Sequence, residues 1–199
     1  MSAFRSLDND DISVVISELL VATADSCDPL LDGSVNEVLR ALRERLGLDV
    51  VFVSEIVDGR RVFRFVDSNG RTPPLRPGDS NPVEESFCQR VVDGRLPGLI
   101  HDAMQLPAGT DVPPLPFRVG AHLSTPIVLS GGRTYGTLCC FSAAPSDGLR
   151  DKDLATLKLC AQLVARKLET AAAQGIEEPP ADWSLEPMAR YDSKVWSLP

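Results

Sequence analysis

Residues 121–142 restrict the fold more than any other stretch of the chain. They read AHLSTPIVLS, then Gly131-Gly132, then RTYGTLCCFS. Two segments rich in β-branched, aromatic and thiol side chains flank a dipeptide that tolerates the positive φ angles of a tight turn, so a β-hairpin is predicted. With Ser130 opposite Arg133, strand alternation puts Ala121, Leu123, Thr125, Ile127, Leu138 and Cys140 on one face. The other face then carries His122, Ser124, Tyr135, Thr137, Cys139 and Phe141. The first set is mainly core; the second is polar and aromatic.

The segments around the hairpin carry different periods. Asp151–Ala173 opens with acids and spaces Leu154, Leu157, Ala161, Val164 and Leu168 three and four apart, the pattern of a long amphipathic helix. A second apolar edge through Leu159, Cys160 and Leu163 allows it to touch a partner helix as well as its own sheet; packing on its own sheet alone is the alternative. Upstream, an acidic run at Asp8–Asp11 and the spacing of Ile12, Val15, Ile16 and Leu19 predict a helix over Asp11–Ala24. Val35, Val38, Leu39, Leu42 and Leu46 mark a second one, stopped by Gly47. Val50–Ile56 and Arg61–Val66 read as strands joined by a turn over Val57-Asp58-Gly59-Arg60.

Residues 68–82 hold four prolines and two glycines and are expected to form a loop. VEESFCQRVVDG follows as a short helix stopped by Gly94, and Leu99–His101 as a short strand. Four more prolines between Leu106 and Pro116 mark an irregular lid bounded by structured segments. The chain thus divides into an N-terminal helix and linker (1–34), a central domain (35–173) and a Pro-rich acidic tail (174–199). The tail carries Trp183 and Trp196, which are expected to dock on a groove or neighbouring subunit, with a mobile tail as the alternative.

Composition narrows the function classes. The 20 Lys and Arg against 28 Asp and Glu give a net charge of −8, and no concentrated basic patch is present to release counterions from a polyphosphate. Nucleic acid and anionic membrane are therefore not expected partners. With 43% hydrophobic residues in 199 the chain is expected to fold as one domain with extensions. The acidic start MSAFRSLDNDD does not look like a secretory signal, and the five cysteines are odd in number and irregular in spacing. A cytoplasmic protein is expected. No CxxC occurs, and His101 and His122 stand far apart, so no metal site is expected.

Three stretches taken in order carry a family resemblance: LGLDVVFVSEIVDGRRVFRFVD (Leu46–Asp67), SFCQRVVDGRLPGLIHDA (Ser86–Ala103) and GAHLSTPIVLSGGRTYGTLCCFS (Gly120–Ser142). Together with the order of elements they resemble a GAF domain, and look like the GAF domains attached to bacterial diguanylate cyclases and cyclic di-GMP phosphodiesterases. The resemblance covers about Val35 to Ala172. It implies an α/β (α+β) fold with a central antiparallel sheet, helices on one face and a lid over the other. It implies a regulatory sensor too, with a small-molecule pocket over one sheet face and flanking helices that carry the signal and often the dimer contact.

The candidate ligand-binding residues are Cys88 in the short helix, His101 and Asp102 at the end of the short strand, and His122, Ser124, Tyr135 and Thr137 on the polar face of the hairpin. The ligand, and any cofactor, is left unknown. No local Lys or His is in sequence position to lower the pKa of Cys88, so packing is its default role. The 27 residues from Ala173 to Pro199 are too few for a catalytic output domain, so signalling through another protein chain and a homodimer are expected. Two alternatives stand beside the sensor. One is a thiol-dependent enzyme like the free methionine-R-sulfoxide reductases, which share a GAF-like fold; the other is a ligand-free interaction module. The Cys-His dipeptide common in bilin-binding phytochromes does not occur, and the Asn-Lys-Phe-Asp-Glu set of cyclic-nucleotide-binding GAF domains has no evident counterpart.

Overall fold

In the computed structural model, residues 31–70, 75–115 and 117–173 are described, with side chains from Val35 onward. The helix expected over Asp11–Ala24 and the tail with both tryptophans lie outside them. Helix α1 spans Leu31–Leu46, starting before the Val35 expected from periodicity, and ends at Gly47 with φ +64°. Strands β1 (Val50–Val57) and β2 (Arg60–Ser68) follow as an antiparallel pair. Their turn places Asp58 at φ +50° and Gly59 at φ +72°, the double positive φ that a two-residue turn between twisted strands requires.

The proline-rich segment contains one strand that the sequence did not reveal, β3 (Ser80–Pro82), paired with β2 at the sheet edge. Three residues are too short for an alternating signal, and Pro82 is tolerated because an edge strand does not need every N–H. The expected helix after it is split. Val83–Glu85 is a 3-10 turn, and α2 begins only at Phe87 and runs to Val92. Ser86 divides them: its hydroxyl accepts from the backbone N–H of Gln89 at 3.1 Å and donates to the carbonyl of Val83 at 2.6 Å. Strand β4 (Leu99–Ile100), the lid segment, β5 (His122–Val128), β6 (Thr134–Phe141) and α3 (Asp151–Ala173) complete the order.

The six strands form one antiparallel sheet in the order β3-β2-β1-β6-β5-β4. Alternation along the central strands sorts side chains to two cores. Val51, Val53, Leu123, Ile127, Leu138 and Cys140 face α1 and α3 and meet Leu39, Leu42, Leu157 and Val164. Val50, Phe52, Phe63, Cys139 and Phe141 face the opposite way, toward α2 and the lid residues Leu106, Leu115, Phe117 and Val119. The architecture is the expected one: two long helices on one face and a lid over the other.

Two details of the expected packing are corrected. His122↔Phe141 and Ser124↔Cys139 pair in the register that Ser130 opposite Arg133 implies, but the turn itself is different. Leu129, not Ser130, is bonded to Arg133, and the register shifts between Ile127 and Val128 so that Tyr135 is skipped. This bulge turns Tyr135 from the polar face into the helix-side core. On α3, Cys160 is buried among the core residues rather than lying on an outer edge, while Leu159 is 58% exposed.

Candidate functional site

Between the sheet, α2 and the lid lies a pocket of about 350 Å³. Its walls are aromatic: Phe52, Phe63, Phe87, Phe117 and Phe141 all line it. Phe52 meets Phe63 edge-on with ring centroids 4.9 Å apart, and Phe117 from the lid stacks on Phe141 at 5.7 Å. The lid closes the pocket with Pro114, Leu115, Phe117 and Val119. It is tied to α2 through Asp111, whose carboxylate accepts from Arg90 at 2.9 Å and also pairs with Arg95. Arg90 is itself anchored, donating to the backbone carbonyls of Glu84 and Ser86. These arginines hold the Asp111 carboxyl below its ordinary range, the Arg90 hydrogen bond first.

A polar row crosses one wall of this aromatic pocket, assembled from five elements. Arg61 on β2 donates from Nη1 to the sulfur of Cys88 on α2 at 3.2 Å and from Nε to Asn81 on β3 at 3.1 Å. Its guanidinium lies over the rings of Phe63 and Phe52, 4.7 and 5.5 Å from their centroids. Cys139 on β6 holds its sulfur 3.2 Å from Nε2 of His122 on β5. The sulfurs of Cys88 and Cys139 and a ring nitrogen of His122 all lie within 4.8 Å of one another. All three residues are buried and all three line the pocket.

The thiols differ in their protonation. Cys88 is held well below an ordinary thiol pKa, first by the hydrogen bond from Cys139 and then by the charge of Arg61 and by His122, which together outweigh its burial. Cys139, the donor in that pair, is pushed up by burial and by the neighbouring Cys88 charge. Burial also raises Cys140 and lifts Cys160 to about 11. Only Cys88, among the described thiols, has surroundings that favour the thiolate.

The candidates taken from the sequence fall into three groups. Cys88 and His122 meet in the polar row. Ser124 and Thr137 are buried in the same sheet; Thr137 is hydrogen-bonded to Ser54 at 2.9 Å, whereas Ser124 Oγ has no partner among the described residues. Tyr135 packs on the helix side, and the His101–Asp102 pair serves local structure. His101 Nδ1 is 3.0 Å from the Ser146 carbonyl, and Asp102 caps the turn after β4 by accepting from the Met104 N–H. Arg61 and Cys139 were missed as site residues. The alternation of β2 carries the signal for Arg61, since it shares a face with Phe63, but one of three arginines in RRVFRFV has no local mark that separates it from a surface one.

No helix among the described residues is long and apolar enough to cross a membrane. The family model for the GAF domain matches residues 31–169. Among solved structures, the GAF domain of a phosphoenolpyruvate-protein phosphotransferase from Coxiella burnetii is similar at TM-score 0.65 and 19% identity, covering 85% of this chain and all of that one (100%). Free methionine-R-sulfoxide reductase from Neisseria meningitidis, in complex with its substrate, is similar at TM-score 0.64 and 17% identity over 87% of this chain and 98% of that one. The chromophore-binding domain of a bacteriophytochrome from R. palustris is similar at TM-score 0.64 and 14% identity over 86% of this chain and 65% of that one. No curated protein matches by sequence. With its six-stranded antiparallel sheet, its covered pocket and a family match running from α1 almost to the end of α3, the chain belongs to the GAF domain family.

Proposed function

We propose that this GAF domain is a cytoplasmic regulatory sensor that binds a small molecule in the lidded pocket and passes its state to a partner chain through α1 and α3. The observation that carries this reading is the pocket itself: about 350 Å³, within the size range of small-molecule sites, with five phenylalanines around one row of polar groups. That lining suits a flat, mostly apolar ligand with one polar or anionic edge against Arg61, Asn81 and His122. Two of the structurally similar proteins hold a small molecule by their own descriptions, a substrate in one and a chromophore in the other. Likeness at this identity supports the fold and leaves the ligand open, and it does not favour the thiol-dependent enzyme over the sensor.

The route for a signal follows from alternation. Phe52, Cys139 and Phe141 face the pocket, while Val51, Val53, Leu138 and Cys140 on the same two strands face the long helices. A ligand that spreads the pocket wall moves strands whose reverse sides pack on α1 and α3. Leu159, exposed on α3, supports a homodimer through the helices.

Thermal unfolding of the full chain against a panel of small aromatic carboxylates and heteroaromatic acids tests the reading. A ligand present at a hundredfold excess over its Kd stabilises the fold by about 2.7 kcal/mol, a shift of several degrees. The same ligand is expected to lose its effect in Val119→Trp, which fills the pocket from the lid, while Leu159→Glu on the far helix keeps it. A panel with no shift, or a shift that Val119→Trp retains, counts against a ligand in this pocket.

A further inference from the structure

Cys88, His122 and Cys139 are far apart in sequence, yet α2, β5 and β6 bring two sulfurs and an imidazole nitrogen within 4.8 Å of one another. We propose that these three side chains form a zinc site whose fourth position opens into the pocket. The donor set is the first argument. Two thiolates and one imidazole are the ligands that borderline and soft ions select, and hard ions such as Mg²⁺ do not. Geometry is the second. Zn–S near 2.3 Å and Zn–N near 2.0 Å in a tetrahedron imply a sulfur-to-nitrogen separation of about 3.5 Å. His122 Nε2 and Cys139 Sγ stand at 3.2 Å, so that pair opens by a few tenths of an ångström around the ion, and the Cys88 sulfur lies within 4.8 Å of both.

Rigidity and access supply further arguments. Cys139 and His122 sit on adjacent strands of the sheet, and Cys88 is positioned by the Ser86 cap at the start of α2. The aromatic shell of Phe87 and Phe141 restricts water, while the pocket gives an ion and a fourth ligand a way in. Among the described residues His122 is the histidine of this pocket, and its other ring nitrogen, Nδ1, is buried without a partner.

Zn²⁺ balances two thiolates, and Arg61, bonded to Cys88, adds a positive charge beside them, while Asp79 and Glu85 also line the pocket. The fourth position is open to a donor atom carried by a small molecule. Loading the site releases the Cys139 proton, and any proton remaining on Cys88, to solvent and involves no change of oxidation state. The site does not depend on an organic ligand being found, since hydroxide can occupy the fourth position.

The experiment is metal titration of the full chain, reduced and freed of metal with a chelator. Zn²⁺ is added in competition with a chromophoric chelator, and Co²⁺ in parallel for its spectrum. The expected result is a zinc-binding step and a cobalt spectrum with thiolate charge-transfer absorption, both abolished or weakened at least about 100-fold in Cys139→Ser and His122→Gln. Cys160→Ser, a buried thiol outside the cluster, keeps both. X-ray absorption of the zinc-loaded native chain needs no variant, and is expected to give two sulfur and one nitrogen neighbours from the protein. A nearest shell of oxygen and nitrogen alone, no cobalt-thiolate band, or binding that survives both ligand substitutions overturns the proposal. Loss of the organic ligand's thermal shift with zinc binding intact would instead fall on the sensor reading.

Discussion

The sulfur of Cys88 owes its properties to residues distant in the chain: Arg61 is 27 positions before it, and Cys139 and His122 come from strands well after it. Metal-free, reduced protein is therefore expected to alkylate with iodoacetamide at Cys88 ahead of Cys139, Cys140 and Cys160, as read by peptide mass. Because the Cys88 pKa is lowered, its rate holds up below the pH near 8.5 where an ordinary thiol loses its thiolate. The thiol of Cys160, lifted to about 11, stays protonated through the same range. Arg61→Gln is expected to move the Cys88 profile back toward the ordinary one. Equal labelling of these four thiols among the described residues, or an unchanged profile in the variant, would contradict the arrangement. None of this was legible from SFCQRVVDG, which has no lysine or histidine near the cysteine. What the sequence did carry was His122, because the parity of the hairpin puts it on the face of Cys139 and Phe141.

At the scale of elements, strand contact and lid anchoring make separate predictions. A Cβ added to Gly136 on β6 would lie 1.8 Å from the backbone oxygen of Ser54 on β1, closer than any side chain can approach. Gly136→Ala is expected to destabilise the domain by about 3 kcal/mol in urea unfolding, and a loss below about 0.5 kcal/mol would mean the strands part easily. The lid responds to acid instead. Asp111 has a lowered pKa in the folded protein, so its contribution is complete above the usual aspartate range near 3.9 and is lost as the pH falls through the lower folded value. Amide exchange, corrected for its intrinsic pH dependence, is expected to show the lid opening below about pH 4. In Asp111→Asn the lid is expected to be loosened at neutral pH and no longer to respond in that window. The elements themselves were largely readable, because long alternating or helical runs carry their own period. β3 and the bulge at Tyr135 were not, since one depends on three edge residues and the other on the geometry of a turn that Gly131-Gly132 permits in more than one form.

The whole molecule is a sheet with different tasks on its two faces, one closed by long helices and one left with a covered cavity. Hydrophobic pattern alone distinguishes these faces, and the order of elements was enough to suggest the family. Neither reports cavity shape, which depends on how the lid residues Leu115, Phe117 and Val119 settle over Phe141 and Phe63. Native mass spectrometry of the full chain, purified gently and compared with Val119→Trp, tests the sensor reading most directly. The account predicts a dimer carrying a small organic molecule on each chain, released on denaturation and missing from the pocket-filled variant. A chain bearing a metal ion alone, or the same bare polypeptide mass in both proteins, would contradict the claim that this pocket holds a small-molecule signal.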